Sequence, residues 1–232
     1  MRCGVNRVLV AHGCRHASGL AMIEHLADRV GARLGDPVQV AFVDVAAPSP
    51  AELLSRLGPG PAVVVPAFLA RGYHVRTDLP AQIVASGHPE VTVTPALGPG
   101  PALVSMLVDQ LADAGAPDGG PVVLAAAGSS DPVARADLDR TSALLAARLG
   151  RPVRLAFAAA GAPTVAQAVR VARAAVPGAA VTVLSYLLAD GFFQDRLHAS
   201  GADLVTSPLA HRPQLAEAIV GLFRGAALPA AA

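Results

Sequence analysis

Two histidines, His12 and His74, stand at comparable places in the chain and could act together as metal ligands or proton acceptors. His12 directly follows the apolar run Val8–Ala11, and His74 comes shortly after the apolar run Ala62–Val65. A third group, Asp44, follows another such run. Imidazole combined with carboxylate suits borderline divalent metals such as Fe²⁺, Co²⁺, Ni²⁺ and Zn²⁺, and neutral imidazole also accepts protons near neutral pH. These residue types therefore predict metal or proton chemistry.

The chain contains two copies of one sequence unit, and only the first copy carries these histidines. VLVAHG and PVQVAF of the first copy return as VLAAAG and PVRLAF at an offset of 115 residues. Ala127 occupies the place of His12, and Phe193 falls opposite His74. Because the constraints of a fold act alike on both copies, the paired loss of imidazole indicates chemistry retained in one copy alone.

The segment from His12 to His16 offers a second, more compact set of ligands. His12, Cys14 and His16 lie at alternate positions, and alternate side chains point the same way only if the loop is extended. Cys14 could equally be a small space-filling residue, because Ser129 occupies its place in the second copy. Both interpretations stay open at this point.

Arginines accompany both histidines. Arg15 follows His12 by three residues, and Arg71 and Arg76 flank His74. A guanidinium group matches the geometry of a carboxylate, so these positions predict a ligand rich in carboxylates. The net charge of +1 provides no general field for nucleic acid or for an anionic membrane, and we expect neither partner.

Short β-branched runs alternate with longer Ala- and Leu-rich stretches, which predicts an α/β fold of parallel strands joined by crossover helices. The carboxyl ends of such strands share one edge of the sheet, where ligands gather. We expect two lobes, residues 1–116 and 117–232, with 101–114 as the last helix of the first. Ser18, Ser49 and Asp78 are expected to cap helices. The expected strands are Val8–Ala11, Val38–Val43, Ala62–Val65, Val91–Thr94, Val122–Ala126, Val153–Ala158, Val181–Leu184 and Asp203–Thr206.

Composition limits the class of protein. Hydrophobic residues make up 53% of the chain and aromatic residues only 3%, so the core must consist of Ala, Val and Leu. Two cysteines give no disulfide framework, and no signal peptide or apolar run of ~20 residues is present, so we expect a cytoplasmic protein. The chain lacks GxGxxG after a strand, a lysine-bearing phosphate loop and a GxSxG elbow.

Three motifs together resemble the sirohydrochlorin chelatases, the class II tetrapyrrole chelatases of siroheme and cobalamin biosynthesis. The family pattern begins with a strand and His-Gly-Ser-Arg, which here reads AHGCR at Ala11–Arg15. A strand ending in an acidic residue before a proline corresponds to Phe42–Asp44 with Pro48 beyond. The third motif, Phe-Leu-x-x-Gly-x-His-x-x-x-Asp-(Ile/Leu)-Pro, reads FLARGYHVRTDLP at Phe68–Pro80. The resemblance extends over essentially the whole chain, because two-lobed members carry a degenerate second copy.

This resemblance implies two tandem flavodoxin-like chelatase lobes, each with a mostly parallel four-stranded sheet flanked by helices, and a cleft between them. It implies that His12 and His74 bind the metal and that they act catalytically with Asp44, which replaces a family glutamate. Cys14 replaces the usual serine. Asp78 could orient His74 or cap its helix.

The implied reaction inserts Fe²⁺ or Co²⁺ into a sirohydrochlorin-type tetrapyrrole. The resemblance implies no prosthetic group, because the divalent ion, which could be Fe²⁺, Co²⁺ or Ni²⁺, is a substrate. Four residues are expected to bind the tetrapyrrole: Arg15, Arg71, Arg76 and Tyr73. The chain would act as a monomer or homodimer. Two alternatives are a non-catalytic carrier of metal or tetrapyrrole, and a periplasmic-binding-like module that holds a small anion.

Overall fold

The computed structural model of the chain describes residues 5–58 and 60–226. The strands of the described residues are β1 (Asn6–Ala11), β2 (Gln39–Phe42), β3 (Ala62–Pro66), β4 (Val91–Val93), β5 (Val122–Gly128), β6 (Val153–Ala160), β7 (Thr182–Tyr186) and β8 (Leu204–Val205). The helices are α1 (Ala17–Leu34), α2 (Pro50–Arg56), α3 (Leu79–Ser86), α4 (Pro101–Asp113), α5 (Pro132–Leu149), α6 (Val165–Ala175), α7 (Phe192–His198) and α8 (Pro213–Gly225). Each expected strand overlaps an observed one, which confirms the alternating α/β pattern.

The chain divides into two compact units. Unit one comprises residues 5–97 and 213–226 of the described chain, and unit two comprises Gly98–Arg212. Unit one contains a four-stranded parallel sheet in the order β2-β1-β3-β4. Unit two contains a second parallel sheet in the equivalent order, β6-β5-β7-β8. The two sheets therefore have the same topology, as the sequence repeat requires.

The central strands of both sheets are buried because helices cover the two faces of each sheet. Val8–Ala11 of β1 and every residue of β3 are buried. Continuous β-branched runs of this kind are typical of parallel strands covered on both faces. The core consists mainly of Ala, Val and Leu, as the composition predicted.

The last helix of each sequence copy packs in the other unit. α4 packs against α5 and β7 in unit two, whereas α8 packs against α1 and β3 in unit one. The helix expected at residues 101–114 is present as α4, but the compact units do not follow a division at 116/117, because α4 packs in unit two. The physical reason is visible at Gln110, which is 3% exposed and whose Nε2 donates to Thr206 Oγ1 at 2.7 Å.

Of the three residues expected to cap helices, only Ser49 does so. Ser49 forms a complete capping box with Glu52 at the start of α2. The expected cap at Ser18 is wrong, because α1 begins at Ala17 with His16 as its N-cap residue. Asp78 makes no capping bond to α3, because the preceding π-helical turn His74–Asp78 runs directly into that helix. Across residues 5–58 and 60–226, no helix combines the length and apolar character needed to cross a membrane.

Candidate metal centre

The carboxyl ends of β1, β2 and β3 bring the three expected ligands together at one edge of the first sheet. His12 directly follows β1, Asp44 follows β2 by two residues, and His74 opens the π-helical turn after β3. One nitrogen of each imidazole and one carboxylate oxygen of Asp44 all lie within 4.8 Å of one another. We call His12, Asp44 and His74 the three-ligand cluster. In the part of the chain that the structure describes, it is the one such group of His, Cys, Asp or Glu side chains.

The two imidazole rings of the three-ligand cluster face each other edge to face. Their centroids are 5.0 Å apart, and the ring planes meet at 81°. His12 and Asp44 are exposed, and His74 is half-buried. The cluster is therefore open on one side, where an ion or a larger ligand can reach it.

Hydrogen bonds at Nδ1 fix which nitrogen of each imidazole can bind a metal. His12 Nδ1 lies 2.7 Å from the carbonyl oxygen of Gly13, and His74 Nδ1 lies 2.9 Å from Asp78 Oδ2. A carbonyl and an ionised carboxylate can only accept, so Nδ1 carries the proton in both rings. The lone pair of each Nε2 is consequently available to a metal ion, as in carboxylate–histidine–metal arrangements.

Asp78 is held in its ionised form. Burial raises the pKa of its carboxyl group. Hydrogen bonds from Gln82 and His74, together with the nearness of His74 and His12, lower this pKa by more than burial raises it. The net result is a pKa below the ordinary value of an aspartate. Of the two roles considered for Asp78, orientation of His74 is the one that the hydrogen bonds show.

Asp44 is held by the backbone that follows it. The N–H of Val45 donates to Asp44 Oδ1 at 2.8 Å, with Val45 in the left-handed region at a φ of 68°. That region is rare for a β-branched residue. Gly13 approaches the same turn so closely that a Cβ atom there would lie 2.1 Å from the carbonyl oxygen of Asp44. Glycine is therefore required at residue 13 for packing.

Aromatic rings surround His74. Phe68 stacks on the imidazole with centroids 6.3 Å apart, and Tyr73 meets it edge to face at 5.7 Å. Tyr73 is 59% exposed, so part of its ring is available to a ligand. Phe68 had no role in the sequence-based hypothesis, although it belongs to the third motif.

The three arginines expected to bind substrate are all exposed. Arg15 lies in the loop between β1 and α1, Arg71 lies in the loop before the π-helical turn, and Arg76 lies within that turn. Their contact with a substrate stays a prediction, as does that of Tyr73.

The more compact ligand set of the first loop is not assembled. Cys14 Sγ donates to the carbonyl oxygen of His16 at 3.2 Å, and neither residue belongs to the three-ligand cluster. Cys3 lies outside the described residues.

Gln82 is a residue that sequence reasoning missed. Its Nε2 donates to Asp78 Oδ1 at 3.0 Å and to the carbonyl oxygen of Val43 at 3.2 Å. The spacing of four residues between His74, Asp78 and Gln82 could have revealed it, because residues four apart lie on one face of a helix.

The second sequence copy has an apolar contact where the first copy has imidazoles. Ala127 and Phe193 both pack against the same hydrophobic cluster of unit two. Gly128, in contrast, keeps the close approach of its counterpart, since a Cβ atom there would lie 1.9 Å from the carbonyl oxygen of Ala160. Packing thus retains the glycine in both copies, whereas the histidines occur in one.

Known proteins resemble this chain in sequence and in fold. Sirohydrochlorin cobaltochelatase of Methanothermobacter thermautotrophicus is 36% identical over 76 residues, which are 32% of this chain and 53% of the relative. Sirohydrochlorin cobaltochelatase of Methanopyrus kandleri is 35% identical over 81 residues, which are 33% of this chain and 56% of the relative. The chain spans about half the length of the curated relatives it matches.

Solved structures of two-lobed chelatases have the same fold. SirB from Bacillus subtilis with Fe³⁺ aligns with a TM-score of 0.77 at 22% identity, over 95% of this chain and 94% of that chain. SirB from Bacillus subtilis subspecies spizizenii in complex with cobalt gives 0.72 at 21% identity, over 95% and 94%. CbiX, described as the terminal enzyme of siroheme biosynthesis in denitrifying bacteria, gives 0.71 at 23% identity, over 94% and 98%.

The CbiX family profile matches residues 6–114 and 121–221, which are the two copies of the repeat. Because these matches include most of the sequence, the chain belongs to the CbiX family.

Proposed function

We propose that the protein is a sirohydrochlorin chelatase that inserts Fe²⁺ or Co²⁺ into a tetrapyrrole of siroheme or cobalamin biosynthesis. The observation that carries the proposal is the three-ligand cluster, in which two oriented imidazoles and a carboxylate converge within 4.8 Å. Membership in the CbiX family and the names of the curated relatives support the same reaction class. Two nitrogens and one oxygen form a donor set suited to either ion.

The reaction exchanges protons for a metal ion. Two pyrrole N–H bonds break, four metal–nitrogen bonds form, and two protons leave for each divalent ion inserted. His12 and His74 present Nε2 lone pairs that can hold the ion before transfer. Once the ion has moved to the macrocycle, the same lone pairs become free to accept protons. Asp44 contributes an oxygen ligand or accepts a proton at its carboxylate.

The tetrapyrrole would be held by groups around the cluster. Sirohydrochlorin-type rings carry many carboxylates, which match the exposed guanidinium groups of Arg15, Arg71 and Arg76. The exposed ring of Tyr73 offers an apolar surface for the macrocycle. In this arrangement the arginines provide affinity and the imidazoles provide the chemistry.

The openness of the cluster favours transfer over storage. Three protein ligands leave coordination positions for water or for a nitrogen of the incoming ring, as in metal sites that react rather than merely hold an ion. A carrier of metal is better served by a closed set of ligands. Formation of metallated product therefore distinguishes the chelatase from a non-catalytic carrier, which would bind Co²⁺ without turnover.

The test is an absorbance assay with sirohydrochlorin and, in turn, Co²⁺, Fe²⁺ and Ni²⁺. His12→Ala and His74→Ala should each abolish insertion because each removes one of the two nitrogen ligands. His25→Ala is the matched control, because His25 is an exposed histidine of α1 outside the three-ligand cluster. Insertion at the wild-type rate by both His12→Ala and His74→Ala would contradict the proposal. Circular dichroism establishes that each variant remains folded.

A further inference from the structure

The amide of Gln82 joins two of the chain segments that supply the three-ligand cluster. One contact reaches Asp78 Oδ1, the oxygen of that carboxylate that His74 does not use. The other reaches the carbonyl oxygen of Val43, the residue directly before Asp44. Both hydrogens of Nε2 are thus engaged, one toward each segment.

Each of these contacts restrains a different ligand. With His74 on one oxygen and Gln82 on the other, the carboxylate of Asp78 has its plane fixed, and the imidazole plane is fixed with it. The contact to Val43 holds the end of β2 from which the turn carrying Asp44 starts. The N–H of Val43 also donates to the carbonyl oxygen of Ala11, directly before His12. Three segments are therefore linked through hydrogen bonds at one place.

The orientation of the Gln82 amide is determined by its partners. Rotation of the amide by half a turn would place Oε1 against the carboxylate oxygen of Asp78 and the carbonyl oxygen of Val43, which both accept. In the observed orientation Oε1 is buried and has no hydrogen-bond partner. A buried acceptor without a partner is unfavourable, so the two Nε2 contacts, and not Oε1, determine the orientation of the amide.

We propose that Gln82 is a positioning residue of the metal site, which sets the separation of His74 from Asp44 by tying Asp78 to the carbonyl group of Val43. This inference rests on the proposed metal-binding function of the three-ligand cluster. Gln82 acts on His74 through Asp78 and on Asp44 through Val43. Hydrogen-bond partners behind metal ligands typically contribute 10–100-fold in metal affinity or activity.

The decisive variant is Gln82→Met, which keeps the length of the side chain but removes both donors. We expect Co²⁺ affinity, measured by calorimetric titration of the whole protein, to fall about 10–100-fold. The visible spectrum of the Co²⁺-saturated variant should also change, because His74 and Asp44 no longer share a fixed separation. A residue that merely stabilises the fold would not change this spectrum at temperatures well below the melting transition.

Gln194→Met is the matched control. Gln194 is a buried glutamine of unit two whose Nε2 donates to the carbonyl oxygen of Thr206 and whose Oε1 accepts from Ser185. Its replacement should lower the melting temperature but leave the Co²⁺ affinity and spectrum at their wild-type values. Gln82→Glu serves as a second variant if Gln82→Met does not fold, because a carboxylate facing Asp78 and Val43 opposes two acceptors and should also weaken binding.

The outcomes separate this inference from the proposed function. If the wild-type protein does not bind Co²⁺, the proposed function fails and the role of Gln82 fails with it. If wild type and Gln194→Met bind Co²⁺, and the folded Gln82 variants bind with wild-type affinity and spectrum, only the positioning role is overturned.

Discussion

Replacement of Asp78 by Asn tests how far the cluster depends on the group that orients His74. The change keeps the shape of the side chain and removes its charge. In the wild-type protein Asp78 Oδ2 lies 2.9 Å from His74 Nδ1, and the two side chains are 22% and 31% exposed. Both groups are thus partly protected from water, and a charge-assisted hydrogen bond here is worth about 1.5–3 kcal/mol.

An asparagine cannot satisfy both neighbours of Asp78. If its oxygen accepts from His74, its NH₂ group faces Nε2 of Gln82, donor against donor. If its oxygen accepts from Gln82, its NH₂ group donates to Nδ1 of His74, which moves the imidazole proton to Nε2 and removes the lone pair from the metal side. Either arrangement weakens the site, and the loss of an orienting partner corresponds to a 10–100-fold fall in metal affinity.

The assay is calorimetric titration of Co²⁺ at neutral pH, with Asp203→Asn as the control. Asp203 is also a hydrogen-bonded carboxylate, but it accepts from Val181 and Arg173 in unit two. A tenfold change in affinity is about 1.4 kcal/mol, so the expected loss is about 1.4–2.8 kcal/mol. Binding of Co²⁺ by Asp78→Asn within about twofold of the wild-type affinity would show that Asp78 does not fix the imidazole of His74.

Two further predictions concern packing and pH. Gly13→Ala places a Cβ atom 2.1 Å from the carbonyl oxygen of Asp44, so we expect a lower melting temperature together with weaker Co²⁺ binding. An unchanged melting temperature and Co²⁺ affinity would show that the turn after Asp44 can move to accommodate the added Cβ atom. Burial raises the pKa of the Tyr186 hydroxyl above its ordinary value, so the folded state keeps a proton that the unfolded state releases above pH ~10. Stability should therefore be complete below that pH and should fall above it, by at most about 1.4 kcal/mol per pH unit. Because the chain has no lysine and only two tyrosines, Tyr186→Phe should remove most of this alkaline loss in denaturant titrations, and an undiminished loss would contradict it.

The strands and the convergence of His12, Asp44 and His74 could be predicted from the sequence because each depends on a local signal. A continuous apolar run such as Ala62–Val65 forms a buried strand wherever helices cover both faces of the sheet. The three ligands follow strands of one parallel sheet, so topology alone brings them to the same edge. The repeat then distinguished His12 and His74 from other histidines, since the second copy lacks both.

The exchange of α4 and α8 could not be predicted, because both helices have an apolar face that suits either sheet. The choice depends on partners far away in sequence, such as Thr206 for the amide of Gln110. The conformation of Val45 was equally hidden, because valine is disfavoured in the left-handed region that it adopts. Gln82 lies at a readable spacing from Asp78, but its contact with Val43 depends on the packing of α3 beside the end of β2.

The second copy of the repeat shows what the proposed metal site requires of the first copy. Alignment of Gly72 with Gly191 places Phe193 opposite His74 and Leu197 opposite Asp78. Phe193 and Leu197 belong to one apolar cluster, and Leu197 is fully buried. An apolar pair needs no hydrogen-bond partners, whereas an imidazole and a carboxylate in the same place need a donor such as Gln82 behind them. The proposed site of the first copy therefore needs the polar groups that hold its histidines. In the second copy both positions of the pair are apolar, and the same fold is kept without these polar groups.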